Sequence, residues 1–401
     1  MMGPLEGVRV VELGVWIAGP AAGGILADWG ADVVKIEPPG VGDPARLFQQ
    51  MLGADLPFNP PFEMDNRGKR SIGVDLGKPA GRVLAGELIA RADVFVTNVR
   101  PAALARLGLD AETLLAKYPR LVYGLITGYG IAGAEKDKAA YDIAGFWARS
   151  GIAHMLTQPG SHPPFQRGGM GDHGTGMVLA GAISAALVAR ERTGKGQLVS
   201  TSLYRQGLYT LSFDLATALR LGTGLAVARR AAMGNPCINN YQAKDGKWFW
   251  VVGLEADRHW PPLCRAAGHP EWAHDPRFAT PRDRAKNAEA LIALLDAAFA
   301  EKPRAEWAQI FDGIEDMWWA PVQDIEEVIA DPQARAAGAW CEVPDDGATT
   351  TFPATPADFA GTPWAPRWMA PTRGQHSDEV LRELGKSEAD VAALRASGAV
   401  A

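Results

Sequence analysis

At 401 residues, with 47% apolar and 21% charged residues, the chain is long enough for two domains with proper cores and has the composition of a soluble globular protein. Its formal net charge of −6 gives no reason to expect nucleic acid or an anionic membrane as partner. The three cysteines, Cys237, Cys264 and Cys341, are odd in number and widely spaced with no C-x-x-C pair, which reads as free thiols in a reducing compartment.

The N-terminus, MMGPLEGVRVVEL, carries no basic stretch followed by an apolar one, so no secretory leader is visible. The longest apolar run, Met177–Ala189, is interrupted by Gly181 and Ser184 and is too short to span a bilayer, so the expectation is a cytoplasmic protein away from membranes. Val8–Leu13 reads as a short strand, the loop Gly14–Gly19 follows, and PAAGGILADWG reads as a helix with Pro20 at its first position. Ala31–Glu37 is the next strand, which completes a βαβ unit and implies a parallel sheet. A dinucleotide site with Glu37 as its ribose-binding acid is disfavoured, because the loop is GVWIAG and breaks the required glycine spacing.

Glu37–Pro61 is loop-like, and then Ser71–Leu76 is a strand, Pro79–Ala92 a helix and Asp93–Asn98 a strand. Short helices at Ala102–Leu107 and Ala111–Tyr118 lead to the strand Leu121–Thr127. This βαβα alternation predicts one doubly wound α/β domain over the N-terminal two hundred residues. Arg67, Lys69 and Arg70, with Arg100 and Arg106, gather at its loops, where guanidinium groups at strand ends suit phosphates.

Pro163–Met177, PPFQRGGMGDHGTGM, holds five glycines and a single carboxylate, Asp172, ahead of a predicted helix from Val178 that ends near Gly194. A glycine loop there lets backbone N–H groups approach a ligand, and the helix dipole favours negative charge. Asp172 is therefore expected to stay ionised at neutral pH beside amide donors fit for an oxyanion, which suits a carboxylate nucleophile attacking a carbonyl. The plainer reading is a capping or turn residue.

Beyond Ser200 a helical stretch, SLYRQGLYTLSFDLATALRL, runs into the connector GTGLAVARRAAMGNP, a predicted linker. INNYQAKDGKWFWVVGLE reads as a hairpin turning at Asp245-Gly246, and helices at Asp257–Ala267, Asn287–Glu301 and Arg304–Gly313 complete a smaller α+β domain. A helix at Ile325–Ala336, an extended proline-rich crossing at Pro353–Pro371 and short helices at Ser377–Leu384 and Glu388–Ser397 make a tail that lies on another domain or subunit.

GMGDHGTGM, TGKGQLV at Thr193–Val199 and PLEGVRVVELGVWIAGP at Pro4–Pro20 resemble the class III CoA-transferase family, the formyl-CoA transferase type. The resemblance runs almost end to end, through GADVVKIEPPG, NRGKRSIGVDL, ADVFVTNVRP, APVQDIEEVIADPQ and GQHSDEVLRELG. It implies a Rossmann-like large domain built from both chain ends (1–222 and 331–401), a small domain at 223–330, and an interlocked homodimer. It makes Asp172 the nucleophile of a CoA transfer from an acyl-CoA to a small carboxylic acid. Coenzyme A then enters as the substrate's thioester, with no permanently bound cofactor and no metal. CoA binding falls by the same likeness to Ile17, Ala18, Val74, Asp75, Leu76, Asn98, Val99, Arg100, Arg106, Ala139, Ala140, Tyr141 and Asp142.

Pro38 stands where the family carries an arginine that holds the nucleotide, which shifts that contact to Arg67 or Arg70. MGNPCINNY at Met233–Tyr241 replaces the glycine loop of formyl-CoA transferase, whereas GMGDH and KDKAAYDIAGFWARSG resemble relatives acting on aryl- or branched-chain 2-hydroxy acids. Two alternatives are an α-methylacyl-CoA racemase on the same fold and a non-catalytic CoA-ester-binding protein. A racemase places a histidine before its Asp-Ile pair, where this chain has Tyr141; Glu255 does resemble a racemase acid, but neither His154 nor His173 has the required spacing. His173 itself is set aside as a base for Asp172, since adjacent side chains point apart and a carboxylate needs none.

Overall fold

The computed structural model describes residues 3–51, 56–227 and 229–401. Residues 1–2, residues 52–55 of the predicted Glu37–Pro61 loop and residue 228 of the predicted linker lie outside the described residues. The chain folds as two compact units, one formed by the chain up to His154 with Pro164–Thr223 and Arg335–Ala401, the other by Met155–Pro163 and Gly224–Ala334.

In the first unit, β1 (Arg9–Leu13), β2 (Asp32–Glu37), β3 (Arg70–Gly73), β4 (Val94–Thr97), β5 (Val122–Thr127) and β6 (Leu198–Ser202) form one parallel sheet in the order β3-β2-β1-β4-β5-β6. Alternate residues feed two cores. Val10, Val33, Val94, Val96 and Ile126 pack with the helices Ala18–Asp28 and Met170–Thr193. Val11, Val34, Ile72, Phe95 and Leu125 pack with the helix Pro79–Ala90 and with Val380, Leu381 and Val400 of the tail. Strands covered on both faces read as continuous apolar runs, and for that reason β1, β2 and β4 are plain in the sequence. The edge strand β6 is not, because its segment LVSTS is largely polar and only half-buried. The α/β expectation holds for this sheet and its helices.

The strand order reverses between β1 and β4, so the loops leaving their carboxyl ends part and open a crevice. The long helix crosses the first helix beside that crevice, and it corrects the sequence reading. It begins at Met170, not Val178, after Gly169 at φ 82°. The glycines expected to keep a loop flexible instead let helices touch. A Cβ on Gly176 would lie 2.9 Å from Ala21 Cβ and 3.0 Å from Ala18 O. One on Gly171 would lie 2.2 Å from Phe146 Cγ and 2.3 Å from Asp142 Oδ1. Close packing outweighs the poor helix propensity of glycine, roughly 1 kcal/mol per residue.

In the second unit, Ile238–Gln242 and Trp248–Val252 form the expected hairpin around Gly246, and Trp319–Pro321 adds a third antiparallel strand. Phe249, Phe299, Trp307 and Phe311 fill its core. The predicted helix Ile325–Ala336 is two, Ile325–Ala330 and Pro332–Ala336, because Asp331 precedes a proline and takes an extended conformation. Back in the first unit, a hairpin of Trp340–Asp345 and Ala348–Pro353 that the sequence reading lacks precedes residues 354–376, which hold no helix or strand.

Candidate active site

A cavity of about 400 Å³ opens at the carboxyl ends of β1, β4 and β5. Its floor is set by the loop after β1, where Trp16 takes φ 63°, the left-handed region that a bulky side chain rarely adopts. That strain persists because the loop is tied at every step. Trp16 N–H donates to Asp43 Oδ1 at 2.9 Å, Val15 N–H to Asn98 Oδ1 at 2.9 Å, and Asn98 Nδ2 returns a bond to Val15 O at 2.7 Å. The Trp16 ring meets Phe48 at 5.7 Å and the edge of Tyr141 at 5.8 Å, leaving an aromatic shelf at the mouth.

Beneath the loop lies a fully buried ion network. Lys35 Nζ donates to Glu12 at 2.8 Å and to Gly14 O at 2.8 Å and pairs with Asp43 at 2.9 Å; Lys69 Nζ reaches Glu12 at 2.7 Å, Pro20 O at 2.8 Å and Asn66 at 3.0 Å. Burial opposes the Lys35 charge, but Glu12, Asp43 and Glu37 overcome it and hold the ammonium above the usual lysine range. For Lys69 burial wins against the pull of Glu12 and pushes it down to about 8.

This network and its neighbours correct the phosphate-binding expectation. Arg67 is buried against Asp28, at 2.7 Å, and Arg70 spans Asp32, Glu379 and Glu383 at 2.6, 2.9 and 2.7 Å. Arg70 also opens β3, at the amino edge of the sheet opposite the crevice. Neither supplies the contact that Pro38 lacks. Glu37 is held by Arg46 and Ser71, which leaves it no role with a ribose.

Asp172 lines the cavity from the first turn of the long helix, and it is the single acid among the described residues that do so. Its carboxylate has no hydrogen bond or ion pair among the described residues. Burial first, and then the charge of Asp142, lift it to about 7, with His173 pulling the other way. The expectation of a plainly ionised acid therefore fails: the helix terminus does not compensate for desolvation and a like charge. The oxyanion donors are also fewer than expected, because Gly171 N–H is taken by Asp142 Oδ2 at 3.1 Å. His173 turns away, with Nε2 3.0 Å from Asp65 Oδ1, and lines a separate cavity of about 300 Å³ with Met64, Met177 and Thr355.

Of the residues expected to bind CoA, Ala18, Asn98, Val99, Arg100, Ala139, Ala140 and Tyr141 line the cavity with Asp172. Ile17 caps the first helix next to them, and Asp142 is packed behind Gly171. Arg106 is exposed in the last turn of the helix Pro101–Leu107 and does not reach the cavity. Val74, Asp75 and Leu76 leave β3, two strands away. There Val74 N–H bonds Glu37 O at 2.8 Å and Asp75 N–H bonds Ala399 O at 2.9 Å, so both amides are used within the fold. The sequence reading passes over Trp16, Thr127, Lys136, Lys138 and Leu203, which also line the cavity. The lysines had a signal in the KDK run; a left-handed tryptophan has none. Among the described residues no group of His, Cys, Asp and Glu is placed to hold a metal ion.

Comparison with known proteins places the chain in a family. The sequence model of a family described as CoA-transferase family III matches residues 5–377. The chain is 32% identical over 389 residues to the (R)-2-hydroxy-4-methylpentanoate CoA-transferase of Clostridioides difficile, covering 96% of each protein. It is 33% identical over 394 residues to the cinnamoyl-CoA:phenyllactate CoA-transferase of Clostridium sporogenes, covering 97% of this chain and 95% of that one. The crystal structure of a CAIB/BAIF family protein from Brucella suis superposes with a TM-score of 0.82 at 32% identity, over 96% of this chain and all of that one.

Proposed function

The chain belongs to CoA-transferase family III and is a CoA-transferase, and from that premise we propose that the transfer runs through covalent intermediates on Asp172. The observation that carries this reading is the carboxylate of Asp172, unpartnered and the one acid among the described residues lining a cavity at the switch point of the sheet. Its oxygen adds to the thioester carbonyl, the C–S bond breaks and the negative charge leaves on the CoA thiolate, giving an acyl–aspartyl anhydride. The thiolate then attacks the aspartyl carbonyl, the donor acid departs as its carboxylate, and an aspartyl-CoA thioester remains. The acceptor carboxylate attacks that thioester and expels the thiolate. The thiolate takes the acyl group from the new anhydride and restores Asp172.

Arg100, Lys136 and Lys138 are the cations lining the cavity among the described residues, and in this reading they meet the phosphates of coenzyme A. The shelf of Trp16, Phe48 and Tyr141 suits an aryl or branched acyl group, in keeping with the substrates named for the two clostridial relatives. A homodimer belongs to the same proposal, supported by the helix Ser212–Leu221, which buries no residue and leaves Phe213 and Leu219 83% exposed. Sedimentation of the native protein as a monomer would refute it. The racemase alternative lacks its histidine, since Tyr141 occupies that place, and the matched relatives are transferases.

Hydroxylamine added together with an acyl-CoA tests the intermediate. A hydroxamate at Asp172, read as a peptide mass change, is the expected result, and Asp172→Ala should lose activity by about 10⁴-fold or more. Near-normal transfer by Asp172→Ala would sink the mechanism.

A further inference from the structure

Asp142 is a buried carboxylate that pairs with no cation among the described residues. It stands just before a single π-helical turn, Ile143–Ala148, and is 7% exposed. One oxygen accepts the Gly171 N–H at 3.1 Å, and the other, Oδ1, has no hydrogen-bond partner among the described residues. Only a glycine at 171 admits it there, since a Cβ would lie 2.3 Å from Oδ1. Of the other charged groups in this region, Arg149 and Lys138 both pair with Glu135, His173 pairs with Asp65, and Lys136 and Arg100 line the cavity. What compensates Asp142 is the N-terminus of the long helix, through one N–H and the positive end of its dipole.

An anion in that position takes for itself the stabilisation that a helix terminus would otherwise give Asp172. The Asp142 carboxylate is bonded to the residue that precedes Asp172, where it disfavours a second negative charge. Free Asp172 carries a charge that this arrangement opposes, whereas the anhydride and the aspartyl thioester carry none, the electron pair having left on the thiolate. We propose that Asp142 is a positioning residue that disfavours the free carboxylate of Asp172 relative to its acylated forms. The inference rests on the reading of Asp172 as the nucleophile. In consequence Asp142 lowers the barrier to acylation and raises the fraction of enzyme resting as the covalent intermediate.

Asp142→Asn tests it, because the amide oxygen keeps the bond to Gly171 N–H and removes the charge. The acid limb of the kcat/KM profile should move down by about one pH unit or more. The fraction of Asp172 found acylated after rapid quenching with acyl-CoA should fall about tenfold. Asp142→Ser, uncharged and smaller, carries the same expectation should the asparagine variant fail to fold, and Asp142→Glu should return the limb toward its native position. An unmoved limb and an unchanged acylated fraction in a folded, uncharged variant would overturn the proposal. That outcome is distinct from failure of the nucleophile itself, in which no hydroxamate forms at Asp172 in either protein.

Discussion

Two groups of charges in the first unit are built on opposite principles. Glu12, Lys35, Asp43 and Lys69 are fully buried, and every charge faces an opposite one within 3 Å. Asp142 and Asp172 are both acids, share one helix terminus, and face no paired cation. The first group freezes a strained loop, since Asp43 holds Trp16 and Lys35 holds Gly14. In the second, burial and then a like charge lift the carboxyl of Asp172 to about 7. Where charges cancel, the residues are scaffold; where like charges are forced together, the fold bears a penalty that the proposed covalent role of Asp172 would account for.

Breaking the compensated group should give the largest effect on stability. Glu12→Gln leaves two buried ammonium groups with one anion fewer, and removal of one partner from a buried pair costs about 3–5 kcal/mol. The site offers no room for repair, because even a Cβ on Gly23 would sit 1.9 Å from Glu12 Oε2. Chemical denaturation should show the loss as a lower midpoint with an unchanged slope. A midpoint within the range of a surface substitution would mean that the network is not what holds the loop.

The uncompensated group should respond with the opposite sign. The folded-state pKa of Asp172 is raised from the usual 3.8 to about 7, so the folded protein favours the protonated acid. Its stabilising effect is complete below about pH 4 and is lost as pH rises through 7. Asp172→Asn should therefore stabilise the protein at pH 8, by up to about 4 kcal/mol, and leave it unchanged at pH 4. Melting curves at the two values decide the matter: a variant no more stable than the parent at pH 8 would show that the acid is not under strain.

This contrast also explains what the sequence could and could not reveal. The sheet was legible because β1, β2 and β4 are apolar on both faces, and the hairpin at Gly246 announced itself by its turn. The prolines of Trp340–Asp345 and Ala348–Pro353 hid a second hairpin, since proline argues against a strand. Asp172, the lone acid of the glycine stretch, does line the crevice, but its surroundings differ from the loop that the sequence suggests. Glycines mark loops in a sequence, yet Gly171 and Gly176 are where the long helix is pressed against Asp142 and against the first helix. Likewise Arg67 and Lys69 read as loop cations suited to phosphates, because a sequence gives charge but neither burial nor the distant partner, here Asp28 and Glu12, that neutralises it.

The smallest effect, and the sharpest separation of the two kinds of charge, belongs to the basic residues. Lys136 lines the cavity and makes no ion pair among the described residues, whereas Arg70 is held by three carboxylates on the far edge of the sheet. An exposed lysine facing a phosphate contributes mainly through Coulomb attraction in water, worth about 1 kcal/mol. Lys136→Ala should then raise KM for acyl-CoA severalfold and leave kcat unchanged, because the same contact serves ground state and transition state alike. The difference should shrink as salt is added, since screening already weakens the native contact. Arg70→Ala should do the reverse, lowering the unfolding midpoint while KM stays within twofold or so of the parent. Steady-state kinetics on the two variants at low and high salt separates these outcomes. If Arg70→Ala raised KM and Lys136→Ala did not, the nucleotide would have to lie over the amino edge of the sheet, and the division between paired scaffold charges and open site charges would be wrong.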